Sequence, residues 1–151
     1  MSQADLTAVA VEQSRRAGPA ANLLAMPFIY AVLAPLVVLD GFVSLYQAVS
    51  FRLWSIPQVS RAQHMRFDRA KLPYLNVLQR LNCRYCSYAN GVLAYTQEIA
   101  AKTEQYWCPI QHETDPVAPH NRYKAFIAYG DSHDLTRRWR ELRAKLERED
   151  G

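Results

Sequence analysis

The sequence predicts a mainly α-helical protein, with one membrane-anchoring helix followed by an antiparallel helical hairpin and a carboxyl-terminal amphipathic helix. Residues 23–39 form a run of seventeen positions without a charge, which is typical of a membrane helix. Leucines then recur at helical spacing after Pro73, and the last twenty residues place an apolar side chain at every third or fourth position among charges. The chain therefore divides into 1–21, 22–54 and 55–151.

The segment 1–21 is small and polar, and Gly18 and Pro19 interrupt any helix before the apolar run. It is expected to be largely disordered. A basic pair before an apolar run also fits a signal peptide, but the region before the run is long and a good cleavage site is missing, so retention of the segment is favoured.

The segment 22–54 is predicted to be the membrane anchor with an interfacial extension. Its uncharged run reaches the roughly 20 residues of a spanning helix only with its flanks. Pro27 and Pro35 lie inside the run and predict a kink. The pair Asp40 and Gly41 ends it, and residues 42–54 are expected to lie along the membrane surface, while a re-entrant turn at Asp40 and Gly41 is the alternative.

The net positive charge of the chain is concentrated directly after the anchor. The net charge is +4, and residues 52–84 hold seven basic side chains against Asp68 alone. An excess of arginine and lysine after an anchor predicts that the following part is cytoplasmic, here at a bacterial inner membrane. Lipid headgroups account for these charges, so nucleic acid is not an expected partner. The candidate partners are the lipid bilayer, a membrane protein and a second copy of the chain.

The predicted hairpin follows a linker. Its first helix begins near Pro73, carries Leu75, Leu78 and Leu81 on one face and ends near Asn82. The turn CRYCSYANG comes next, since an Asn-Gly pair favours a break, and residues 91–107 form the second helix.

The last predicted helix covers residues 134–149. It carries a narrow apolar seam that consists of Leu135, Trp139, Leu142 and Leu146. A seam this short does not sustain an independent coiled coil, so it is expected to dock on the hairpin or on a partner protein, with Trp139 contributing most.

Cysteines and one histidine give the most specific pattern for chemistry. Cys83, Cys86, Cys108 and His112 read C-x2-C-x21-C-x3-H, the ligand set of a Cys3His zinc site, with iron as the less suitable metal. A continuous helix over 91–107 would nevertheless hold Cys108 about 25 Å from the cysteine pair. Either that helix is broken and one four-ligand site forms, or the ligands are divided between its two ends.

Two other interpretations of the cysteines remain open. The CxxC pair could be a redox dithiol beside Arg84, although the βαβ pattern of thioredoxin-like folds is missing. The cysteines could also be buried packing residues. The sequence contains no Gly-rich phosphate loop, G-x-S-x-G elbow or HExxH motif, so catalysis is not the leading expectation.

The motifs YCxYxNG, at residues 85–91, and YWCP, at residues 106–109, resemble those of a group of uncharacterised small membrane-anchored bacterial proteins. The resemblance covers about residues 72–112. It implies a bacterial origin and a recurring cysteine arrangement, and it transfers no catalytic residue.

These observations predict a membrane-anchored accessory or assembly component of a bacterial membrane complex, with a Cys/His metal site. The alternatives are a membrane-bound CxxC thiol oxidoreductase and a structural adaptor without metal.

Overall fold

The computed structural model describes residues 18–149, and they are mainly helical, as predicted. Residues 1–17, which make up most of the segment 1–21 that is expected to be disordered, lie outside the described residues. Helix α1 already begins at Pro19, whose fixed φ suits the first helical turn.

The apolar segment forms two helices in direct succession, α1 at Pro19–Ala31 and α2 at Leu33–Tyr46, and a π-helical turn at Gln47–Phe51 continues α2. Pro35 explains the interruption at Val32, because it cannot donate the backbone hydrogen bond that Ala31 would accept. Residue Val32 itself keeps right-handed helical angles. Helix α2 passes through Asp40 and Gly41 without a break, so the alternative of a re-entrant turn there is wrong.

The chain then reverses and returns along α2. Ser55 adopts a positive φ of 54° just after the helical segment. A short helix α3 at Arg61–His64 and a 3-10 turn at Asp68–Lys71 follow. The returning chain is held to the apolar helical segment at two positions. The backbone of Val59 binds the side chain of Gln47, and the side chain of Arg61 binds Asp40.

Helix α4 is a single helix of 31 residues, Val77–Trp107, and the predicted turn at CRYCSYANG is therefore wrong. Asn76 starts it with a capping box, in which its side chain accepts from the backbone of Gln79 at 2.8 Å. Gly91 is explained by tertiary packing, because a Cβ there would lie 2.9 Å from the carbonyl oxygen of His64 and 2.6 Å from the sulfur of Met65. The glycine makes room for the returning chain.

The apolar helical segment and α4 lie side by side and run in the same direction. Tyr30 donates to Asn82 at 2.6 Å near their amino ends, and Trp54 meets Trp107 at 5.1 Å between ring centroids near their carboxyl ends. The returning chain makes this parallel pairing possible. The hydrophobic core lies near the carboxyl end of the pair and comprises Phe51, Ile56, Val59, Tyr95, Ile99 and Leu146.

Helix α5 at Leu135–Glu147 confirms the last predicted helix and packs antiparallel on α4. Trp139 Nε1 donates to the carbonyl of Tyr106 at 3.1 Å, and Leu146, further along α5, is fully buried among core residues of α4. The seam thus docks within the chain. The antiparallel helical pair consists of α4 and α5 rather than of two halves of residues 72–107.

Candidate functional site

The most extensive surface feature is an exposed apolar face along α1 and α2. Residues Leu23–Phe51 form a helical segment of 29 residues that is long and apolar enough to cross a membrane. Only 11% of the residues in its most apolar stretch of 18 are buried inside the protein. One side of this segment packs on the remaining chain. The other side, here called the apolar face, is exposed and comprises Leu24, Phe28, Val32, Val38, Phe42, Leu45, Val49 and Leu53.

The polar side chains of α2 point the opposite way, toward the rest of the protein. Arg61 donates to both carboxylate oxygens of Asp40, at 3.0 and 2.5 Å, and Tyr88 donates to one of them at 3.0 Å. A carboxylate within an apolar segment needs such partners, because an unpaired buried charge is costly. Asp40 is therefore a point of attachment for the returning chain.

Gln47, the first residue of the π-helical turn, makes a second polar contact of this kind. Its side chain accepts from the backbone N–H of Val59 at 2.7 Å and donates to the Val59 carbonyl at 3.2 Å and to the Tyr95 hydroxyl at 3.0 Å. The buried amide thus binds both backbone groups of one residue, in the manner of a neighbouring strand. These contacts hold the returning chain between α2 and α4.

An aromatic group lies where the apolar helical segment ends. Trp54 stacks on Tyr106 at 6.0 Å between ring centroids and meets Trp107 edge-on, while the guanidinium of Arg143 lies 4.5 Å from the Tyr106 ring centroid. Tryptophan and tyrosine are enriched where a protein meets the headgroup region of a bilayer. Trp107 is also half exposed. The group joins the carboxyl end of the apolar helical segment to that of α4.

The four predicted metal ligands are not brought together. Cys83 and Cys86 lie one turn apart in α4, whereas Cys108 follows the end of that helix. Cys108 lies 22 positions after Cys86, which corresponds to about 33 Å of helix. Residues 18–149 contain no cluster of three or more His, Cys, Asp and Glu side chains suited to a metal ion. The continuous helix is the physical reason that one chain does not assemble the Cys3His set.

His112 has a structural environment of its own. Its ring stacks on that of Tyr123 at 6.1 Å, and its backbone N–H donates to the Tyr123 hydroxyl at 2.8 Å. These contacts secure the long loop between α4 and α5. Its nearest predicted co-ligand in sequence, Cys108, is exposed at the start of this loop.

Sequence reasoning missed an ion-pair cluster around Arg122. This arginine donates to Glu98 at 2.7 Å, to Glu149 at 2.6 Å and to the side chain of Gln105 at 2.8 Å. It therefore ties the loop to α4 and to the end of α5. Each partner lies at least 17 residues from Arg122 in sequence, and no motif connects them, so only the packing of the helices reveals the cluster.

Lys102 lies beside this cluster in an open cleft of about 280 Å³. It is buried, and its amino group donates to the carbonyl of Pro57 at 2.9 Å. Burial lowers the pKa of Lys102, and the nearby positive charge of Arg122 lowers it further. Arg122 pairs with both carboxylates, so the cluster connects the loop to α4 and to the end of α5.

Comparison of the chain with protein-family models, with curated proteins and with solved structures finds no match. The resemblance carried by residues 72–112 stays a prediction, and the site must be interpreted from its own geometry.

Proposed function

We propose that this protein is a membrane-seated accessory or assembly component of a bacterial membrane complex. The observation that supports the proposal is the two-sided character of α1 and α2. Their apolar face is exposed over its whole length, while Asp40 and Gln47 turn inward to polar partners. Burial of an exposed apolar surface of this extent in lipid is strongly favourable.

The parallel position of α4 favours a helix that lies along the membrane interface over one that crosses the bilayer upright. Tyr85 of α4 donates to the carbonyl of Ile29 at 2.8 Å, so the exposed Arg84 lies at the height of the first helix. An upright crossing would carry that arginine into the hydrocarbon, which is costly. The 29-residue segment is also about 43 Å long, whereas the hydrocarbon core is about 30 Å thick.

The cytoplasmic side of the inner membrane suits the charges on the returning chain. Arg66, Arg69 and Lys71 are all exposed, with Asp68 as the single acidic residue between them. Basic side chains near a membrane are attracted to the anionic lipids of the cytoplasmic leaflet. In this arrangement both ends of the described chain lie in the cytoplasm.

An accessory role fits the site chemistry better than thiol oxidoreduction. Reactive CxxC pairs gain a stabilised thiolate at the amino terminus of a helix. Here Cys83 is the seventh residue of α4 and lies more than a turn away from its amino terminus. The body of the protein then serves as a cytoplasmic surface for membrane proteins of the complex.

Membrane binding is tested with the double variant Phe42→Glu, Leu45→Glu, which places two charges on the apolar face. We expect it to lose flotation with vesicles of phosphatidylethanolamine and phosphatidylglycerol and to leave the membrane fraction on alkaline washing. The matched control is Val117→Glu, at a fully exposed loop position. Membrane retention of the double variant would contradict the proposed binding of the apolar face to the membrane.

Orientation is tested by reporters fused to either end of the full chain. We expect both fusions to be active in the cytoplasm. A reporter at the amino terminus that is active only in the periplasm would instead establish an upright crossing.

A further inference from the structure

The first turns of α4 carry apolar side chains on the side of the helix that packs on α1 and α2 further along. Leu81 lies seven residues before Tyr88, whose hydroxyl binds Asp40 of α2. Leu78 lies seven residues before Tyr85, which binds α1. Because seven residues make almost two full turns, each leucine lies on the packed side of α4. Yet Leu78 is 49% exposed and Leu81 is 50% exposed.

The amino-terminal turns of α1 show the same feature. Leu23 lies seven residues before Tyr30, whose hydroxyl binds Asn82 of α4, but it is 71% exposed. The rings of Tyr30 and Tyr85 meet at 5.5 Å between centroids and close the packed part of the two helices. Beyond this tyrosine pair, α1 and α4 leave their facing sides uncovered within residues 18–149. We call the space between them the amino-end cleft, and its apolar lining consists of Leu23, Leu78 and Leu81.

Two arginines lie beside this cleft. Arg80 and Arg84 are one turn apart in α4, and Arg84 lies three residues after Leu81. Neither arginine has a carboxylate partner among the described residues, whereas Arg61 and Arg122 do. The Nε of Arg80 is also shielded from solvent and has no hydrogen-bond acceptor in this part of the chain. Two guanidinium groups with unused donors are suited to bind an anion.

We propose that the amino-end cleft binds one anionic phospholipid, whose phosphodiester lies between Arg80 and Arg84 and whose acyl chain fills the cleft. Arginine binds phosphate oxygens through paired, charge-assisted hydrogen bonds. The cleft adjoins the apolar face, since Leu24 and Phe28 belong to the same turns of α1. An acyl chain therefore enters the cleft from the lipid that contacts this face. The site rests on the proposed function, which places α1 at the membrane interface.

The surrounding charges favour an anionic lipid over a zwitterionic one. The turn at Asp68–Lys71 packs on α4 and carries two basic side chains against one acidic side chain. This excess repels an ammonium headgroup but not an uncharged glycerol headgroup. The apolar lining in turn favours a lipid over free phosphate, because only an acyl chain removes the leucines from water.

Lipid selectivity tests the site in the full chain. The protein is purified in a neutral detergent, and native mass spectrometry measures the binding of added phosphatidylglycerol and phosphatidylethanolamine with identical acyl chains. We expect one phosphatidylglycerol per chain, bound about tenfold or more tightly than phosphatidylethanolamine. The double variant Arg80→Gln, Arg84→Gln should weaken phosphatidylglycerol binding by about tenfold or more. The matched control is Arg140→Gln, Arg148→Gln, which removes the same charge from two exposed arginines elsewhere.

A second variant tests the acyl contact without changing charge. Leu78→Gln, Leu81→Gln should weaken the binding of phosphatidylglycerol and leave that of glycerol phosphate unchanged. The site is overturned if the two double-arginine variants bind phosphatidylglycerol equally, or if glycerol phosphate binds as tightly as the lipid. It is also overturned if lipid binds only after removal of residues 2–17, since that segment would then cover the cleft.

Failure of this site and failure of the proposed function give different results. Arg80→Gln, Arg84→Gln should still float with vesicles, because the apolar face is unchanged. A native chain that binds one phosphatidylglycerol in detergent but does not float would refute the proposed function alone. A native chain that floats but binds both lipids equally in detergent would refute the lipid site alone.

Discussion

Gly91 offers the sharpest test of how the returning chain crosses α4. A Cβ at this position would come within 2.9 Å of the His64 carbonyl oxygen and 2.6 Å of the Met65 sulfur. The sulfur can move with its side chain, but the carbonyl belongs to the backbone. We therefore expect Gly91→Ala to destabilise the protein although it improves the helix.

Two opposing effects set the magnitude. Alanine is favoured over glycine inside a helix by about 0.8–1 kcal/mol. Overpacking of a close contact costs about 1–3 kcal/mol. The net loss at Gly91 should be about 1 kcal/mol. Gly41 is the matched control, because it is also helical but has nothing within 4 Å of an added Cβ, so Gly41→Ala should stabilise by up to about 1 kcal/mol.

The assay is thermal unfolding followed by far-ultraviolet circular dichroism in one detergent. A change of 1 kcal/mol should shift Tm by about 2–4 °C, in opposite directions for the two variants. Met65→Ala should reduce the loss at Gly91, because it removes one of the two close atoms and the two positions are coupled. A hairpin turn at Gly91 would make the loss independent of Met65, and that result would refute the crossing.

Two other predictions concern buried polar contacts, both measured by denaturant unfolding. Gln47→Leu should cost about 3 kcal/mol or more, since it leaves the Tyr95 hydroxyl and two backbone groups without their partner, whereas Gln63→Leu at an exposed site should change stability little; equal effects would contradict the bridge. The pKa of Glu149 is held below its ordinary value of 4.5 by Arg122, so this pair stabilises the fold fully above about pH 4.5 and less as the pH falls through the lowered value. The stability difference between the native chain and Arg122→Gln should therefore shrink from neutral pH to about pH 3, and a constant difference would argue against the ion pair.

Local sequence patterns determined the helices whose signals do not depend on the rest of the chain. The apolar run predicted the first long helix, and the seam containing Trp139 predicted α5, because both patterns reflect which side chains avoid water. The interruption near Pro35 was also predictable, since proline lacks the donor that a helix requires.

Tertiary structure decided the features that depend on residues far apart. Asn90 and Gly91 are a turn signal in isolation, yet the passage of His64 and Met65 over α4 gives the glycine another purpose and leaves the helix unbroken. That unbroken helix also separates Cys86 from Cys108 and so removes the ligand set that spacing alone suggested. A linear motif lists which ligands are present, whereas a metal site needs them within a few ångströms of one point, and this distance is set by the path of the chain.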